Sequence, residues 1–477
     1  MLNRKRIERA VSEAEQSFKD CWLKLLTLRK CVEGKSEMIE AIVSFQPTLG
    51  IALYRLETLY NQICQEGREL ISRKSDLNKK WFRHRLHTLN GFKRLLRATM
   101  DVGKALGDSF AWMFYQNERE LLRRHDEHEP NPHLPTGIGG RGEIEFIRGL
   151  PKFGDHLVLA HSITTFLRLG DVSLVDLVEG KVAAIGELKT CANGDNQLTV
   201  TINLVGRNLR KDRLPKSVEG QHTPFSSDRR PLPPPILERL KRQIERIQES
   251  FKPVVSNQHL APAQVSATFH HSKVEELYRS PAKLSMERIK ADRGLLVIGI
   301  RLKGESLFSR LAGKHHSKRN LDRLRITEDA REIVDLALKD NSLRFGWLPY
   351  PAQGRYSLSL GMRPLFWWSL ETEIIEALLF RRFAVMTLYN PVFLIDDLRR
   401  CGIEVEALKE GGIRIWKKSG DKEFRIFGIP YFLELVQAHL FADSAVVALI
   451  QKMVESAERA DFKQPATVNL DLQFLFH

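Results

Sequence analysis

Residues 170–190 read Gly-Asp-Val-Ser-Leu-Val-Asp-Leu-Val-Glu-Gly-Lys-Val-Ala-Ala-Ile-Gly-Glu-Leu-Lys-Thr, two apolar stretches on either side of Gly180. The pattern predicts a β-hairpin with Asp171 at its head and Glu187-Leu188-Lys189 at its tail. Side chains alternate faces along a strand, so Glu187 and Lys189 share one. Whether Asp171 joins them depends on the turn. A two-residue loop, Glu179-Gly180, sets Asp171 opposite Leu188 and on the wrong face. A three-residue loop, Glu179-Gly180-Lys181, pairs Asp171 with Lys189 and Ser173 with Glu187, and Gly180 supplies the left-handed residue. The three-residue loop, or a bulge with the same effect, is therefore expected. The opposite face is then Val172, Leu174, Val178, Val182, Ala184 and Leu188, apolar enough to pack on a helix. Asp176 interrupts that face and is expected at its edge. Two carboxylates on a rigid sheet suit a hard cation such as Mg²⁺ or Mn²⁺, and a lysine beside them can orient or deprotonate water. Glu33-Gly34-Lys35 and Glu179-Gly180-Lys181 repeat the tripeptide without a preceding apolar strand, so the signal is the whole arrangement.

Gly170-Asp171, then Glu187-Leu188-Lys189-Thr190, resembles the PD-(D/E)xK nuclease superfamily. The resemblance spans roughly 60 residues. It implies a mixed α/β fold with a restriction-endonuclease-like αβββαβ core, and a glutamate on the first helix. Glu143, in Gly139-Gly140-Arg141-Gly142-Glu143-Ile144-Glu145-Phe146, is the candidate, with Glu145 second. It also implies Asp171, Glu187 and the Leu188 carbonyl as metal ligands. The chain departs from the pattern in carrying Gly instead of Pro before the aspartate, and it lacks an evident Gln-x-x-x-Tyr after the lysine.

The chain has 477 residues, enough for two or three domains, and 43% hydrophobic residues, ample for real cores. Lacking any run of 18 apolar residues, it offers no membrane span. The start, Met-Leu-Asn-Arg-Lys-Arg, does not read as a signal peptide. Five cysteines without ligand spacing fit a reducing cytoplasm. The formal charge of +15 favours a polyanionic partner, with DNA the expected one. The charge clusters at Lys79, Lys80, Arg83 and Arg85, with Trp81 and Phe82 interleaved; at Arg207, Arg210 and Lys211; and around Lys318 and Arg319.

Residues 1–128 read as a helical region, with Ile7, Val11, Ala14, Phe18, Trp22 and Leu25 at helical spacing. Such a region suits homo-oligomerisation or a partner protein. Residues 126–142 read as loop, and 129–304 as the nuclease-like core. Within that core, His156–Leu169 reads as the first strand, Gln197–Leu204 as another, 214–235 as a Pro/Ser-rich insertion, and 236–250 as the second helix. Gly294–Ile300 reads as the core's fourth strand. Residues 305–477 read as a mixed α/β C-terminal domain, with a helix over Ser369–Phe383, a hairpin over Ile413–Ile426 and a helix over Leu433–Ala457. His125, His128 and His133, with Asp126 and Glu127, form a rival zinc candidate. Asp396-Asp397 fits surface charge on a helix.

Together these features lead to a metal-dependent nuclease acting on DNA, with bacterial anti-phage defence as a setting by analogy. The alternative is a nucleic-acid-binding or assembly subunit whose nuclease-like fold is inactive or needs a partner.

Overall fold

The computed structural model describes residues 2–30, 35–129, 137–148, 156–193, 197–206, 242, 245, 258–280, 286–312, 344–348, 362–407, 413–420, 422–426, 429–459 and 467–476. They form two compact units, one of residues 1–253 with 305–312, the other of 254–304 with 313–477.

The first unit begins with α1 (Arg4–Lys30), α2 (Lys35–Ser72) and α3 (Lys79–Tyr115), which pack on one another, followed by the short α4 (Arg119–Asp126). The helical periodicity expected of α1 holds: Ile7, Val11, Ala14, Phe18, Trp22 and Leu25 are all buried. Asn78 caps α3, its side chain accepting from the backbone N–H groups of Lys80 and Trp81. Two glycines set how closely α3 packs. A Cβ on Gly103 would stand 2.7 Å from the Phe18 ring, and one on Gly107 1.9 Å from the Ile163 carbonyl oxygen.

Next come α5 (Ile138–Arg148) and an antiparallel sheet of β1 (His156–Ala160), β2 (Val172–Asp176), β3 (Lys181–Asn193) and β4 (Gln197–Gly206), in that order. The glycine-rich segment expected to be loop belongs to α5. The reason is close packing: a Cβ on Gly142 would meet the Thr190 Oγ1 at 2.1 Å. Val158, Val172, Leu174 and Ala184 make the apolar layer under this helix, with Phe146, Leu188, Ile202 and Leu204 against it. Val178, assigned to that face from sequence, is 72% exposed because it lies in the turn. The first strand is shorter than expected. It ends at Ala160, where a 3-10 turn over His161–Ile163 takes the chain between α2 and α3.

The helical region is not a detached module, since it shares one compact unit with the sheet. Gln46 of α2, fully buried, donates from Nε2 to the Val158 carbonyl at 2.7 Å. Its Oε1 accepts from the Ala160 N–H at 2.8 Å. The side chain thus occupies the free edge of β1 as a further strand would. Gln46→Leu strands a buried donor and a buried acceptor, and should lower stability by about 2–4 kcal/mol. Thermal unfolding followed by circular dichroism measures it; an unchanged midpoint would show that the edge is satisfied otherwise.

The strand expected to complete this sheet, Leu295–Arg301, lies in the second unit. It pairs there with Met286–Lys290 and with Phe383–Tyr389, which also pairs with Arg344–Leu348. The fourth strand of the first sheet is β4, which follows directly from β3. The expected second helix at 236–250 and the insertion at 214–235 fall outside the described residues, apart from 242 and 245. The described elements here run α5-β1-β2-β3-β4, within a mixed helical and strand architecture.

In the second unit, the hairpin Ile413–Ser419 and Lys422–Ile426 forms as expected. The helix at Thr372–Leu379 is shorter than expected, because Phe383 opens a strand. The last long helix is two, Ile429–His439 and Asp443–Arg459, broken where Leu440 adopts φ of +58°. Asp397 is surface charge as expected, paired with Arg293 and Arg400. Among the described residues no helix is long and apolar enough to cross a membrane.

Candidate active site

The hairpin turn is built differently from the three-residue loop. Asp176 pairs with Lys181, leaving four residues, Leu177–Gly180, in the turn. Asp176 Oδ1 accepts from the N–H groups of Val178 and Glu179, and Gly180 closes the turn at φ of +64°. Leu174 faces Ala184 while Val175 faces Val182, so Ala183 is a bulge. An even loop plus one bulge has the parity of an odd loop, so Asp171 keeps the face of Glu187 and Lys189. The register, however, moves by two. Val172 pairs with Gly186, and continuing that ladder sets Asp171 opposite Glu187, not Lys189. Ser173 correspondingly pairs with Ile185.

The shift brings the two acids together. The Asp171 N–H donates to the Gly186 carbonyl at 2.8 Å, and its Oδ2 accepts from the Leu188 N–H at 2.8 Å. The Asp171 and Glu187 side chains thus stand opposite each other on one face of the hairpin. Lys189 Nζ stands 3.5 Å from Glu187 Oε2. Glu187 is 4% exposed, while the Lys189 side chain keeps 24%. Burial, and next the charge of Asp171, push the Glu187 carboxyl up to about 8, with Lys189 opposing. Glu143, on α5 and 5% exposed, is pushed up to about 7 by burial, with Asp171 adding and Lys104 opposing. Glu145, the second candidate on α5, instead pairs with Arg148 at the surface.

A donor set of this kind fits a hard cation. Two acids held side by side favour the protonated form of one of them, and a cation bound between them relieves the repulsion. Within an antiparallel strand the N–H and C=O of one residue point to the same side. The Leu188 carbonyl therefore projects toward the edge where its N–H meets Asp171, away from the β4 ladder. Asp171, Glu187 and that carbonyl are the groups able to hold Mg²⁺ or Mn²⁺. Among the described residues no group of three or more His, Cys, Asp or Glu has the spacing of a ready-made ion site. Among the described residues the rival zinc candidates form no such group. His125 is buried and its Nδ1 accepts from the Arg168 and Leu169 N–H groups at 2.9 Å. His133 lies outside the described residues.

Residues that sequence reasoning missed hold Asp171 in place. His161 Nδ1 meets the Gly170 carbonyl at 3.1 Å and its Nε2 the Ser173 hydroxyl at 2.6 Å. Burial holds this imidazole down at about 4, so it is neutral. Nδ1 then donates to Gly170, Nε2 accepts from Ser173, and Tyr115 of α3 donates its hydroxyl to Ser173. Asp108 of α3 accepts from the N–H and hydroxyl of Thr165, both at 2.7 Å. Gly170 itself has φ of +75°, and a Cβ there would lie 2.6 Å from Ile185 Cγ2. Proline cannot adopt that φ, so glycine suits this position.

Of the basic candidates, Lys79, Lys80 and Arg83 are exposed. Arg85 is committed to an ion pair with Glu66 and a bond to the Leu2 carbonyl. Arg207, Arg210, Lys211, Lys318 and Arg319 lie outside the described residues. No family model, curated protein or solved structure matches the chain.

Proposed function

We propose that the chain is a metal-dependent nuclease that hydrolyses DNA phosphodiester bonds. The observation that carries this reading is the register that sets Asp171 opposite Glu187 on one sheet face, with Lys189 at 3.5 Å from the latter. Asp171, Glu187 and the Leu188 carbonyl would hold Mg²⁺ or Mn²⁺. Such an ion, when bound, stabilises the charge that develops on phosphate and makes water a better nucleophile at neutral pH. Lys189, whose side chain keeps 24% exposure beside Glu187, would orient the attacking water and take or give a proton at Nζ. Glu143, whose carboxyl is raised by burial and further by the charge of Asp171, would hold a water or a second ion from the α5 side. Ser173, His161 and Tyr115 position Asp171 without touching substrate. Anti-phage defence is a setting consistent with this chemistry, by analogy alone.

A second reading, a nucleic-acid-binding subunit that is inactive or needs a partner, draws support from the 4% exposure of Glu187. The test that separates them is nicking of supercoiled plasmid by the purified chain alone. Activity that needs Mg²⁺ or Mn²⁺ and disappears in Asp171→Asn supports the nuclease. Absence of cleavage with intact DNA binding supports the second reading.

A further inference from the structure

Between Asp76 and Asp101 the chain carries no acid, while it carries seven Lys or Arg and two His. All but the first two residues of this stretch lie on α3. The helix sorts them. Phe82, Leu89, Leu95, Leu96 and Thr99 are buried, whereas Lys80, Arg83, His84, His87, Arg94 and Arg97 are exposed. Together with exposed Asn90, the positions 80, 83, 87, 90, 94 and 97 step by three or four residues, the spacing of one solvent-facing ridge. Trp81, 40% exposed, stands beside it.

The ridge has a direction. Arg83, Asn90, Arg97 and Lys104 are seven residues apart, and such positions drift only about 20° per step around a helix. Lys104 is buried, and further along the helix Asp108 bonds to Thr165 and Tyr115 to Ser173 of the hairpin. The helix side that is basic and open over residues 80–97 thus leads toward the side of α3 that meets the candidate site. At 1.5 Å per residue the ridge runs from about 10 Å to about 36 Å from the level of Lys104.

We propose that this face of α3 is a phosphate-binding ridge that holds a DNA duplex arm on one side of the scissile bond. The direction of the arm rests on the nuclease reading; the binding surface does not. At 3.4 Å per base pair the ridge reaches about eleven base pairs from the cut. The arm is held through its backbone, so its sequence has little effect.

The test is the full chain with Lys79, Lys80, Arg83 and Arg94 all replaced by Ser, checked for an unchanged circular dichroism spectrum. Anisotropy of a labelled 24-base-pair duplex in EDTA reads binding without cleavage. The slope of log affinity against log salt should fall by about 2–4, since each phosphate contact contributes about 0.9. In Mg²⁺, the wild type should cut duplexes with arms beyond about eleven base pairs faster than short ones, and the variant should cut both at one rate. An unchanged salt slope overturns the ridge, as does wild-type binding to anionic phospholipid vesicles but not to duplex. A reduced slope with no cleavage by the wild type would sink the nuclease reading and leave the ridge standing. Cleavage with an unchanged slope would do the opposite.

Discussion

Lys189→Ala should lower the rate of Mg²⁺-dependent cleavage by about 10²–10⁴-fold, the range for loss of a positioned proton-transfer group. Duplex binding should change little, because Lys189 is one cation among many and touches Glu187 rather than the basic ridge. Lys181 is the control. It ends the Glu179-Gly180-Lys181 tripeptide, the same pattern as the site, but sits where the turn meets β3, opposite Asp176. Lys181→Ala should leave the rate unchanged. Equal loss in both variants, measured by single-turnover cleavage of a labelled duplex, would mean that Lys189 acts through general charge and has no catalytic role.

Gly170→Pro should be among the most damaging single changes in the first unit. The native φ is +75°, whereas proline requires about −65°. A side chain would also press on Ile185 and on the Gly186 carbonyl, 2.6 and 2.9 Å from the new Cβ. Strained backbone and overpacking together should cost at least about 3 kcal/mol. Gly170→Ala should move the same way by less. Thermal unfolding decides it. A proline variant that melts with the wild type and cleaves normally would show that the turn before Asp171 can be rebuilt without consequence.

Much of the hairpin was legible because a strand has a period of two. Parity put Glu187 and Lys189 on one face, an odd loop or a bulge around Gly180 was needed to bring Asp171 there, and the apolar alternation named Val172, Leu174, Ala184 and Leu188 as the packed side. The register was not legible. Asp176 binds its own turn, and the Ala183 bulge absorbs the extra residue; together they shift the pairing by two while leaving the faces as they were. The supports of the site were hidden for a different reason. Gln46, Lys104, Asp108 and Tyr115 lie on helices whose apolar repeat describes any bundle, and their partners are distant in sequence, Ser173 being 58 residues from Tyr115. The available signal was small: Gly103 and Gly107, four apart in a long helix, mark where another backbone comes close. The strand at Leu295–Arg301 was recognised as a strand but given to the wrong sheet, since an apolar run does not say which partners it will pair with.

The central claim is that Asp171 and Glu187 share a divalent cation, and binding of Mn²⁺ to the metal-free chain tests it most directly. Followed by electron paramagnetic resonance, the wild type and Lys189→Ala should both bind Mn²⁺. Asp171→Asn and Glu187→Gln should each lose that binding or weaken it by at least about tenfold. Asp171→Asn keeps an oxygen able to accept the Leu188 N–H, so the hairpin should survive the change. Equal Mn²⁺ binding by all four proteins, or none by the wild type, would contradict the account.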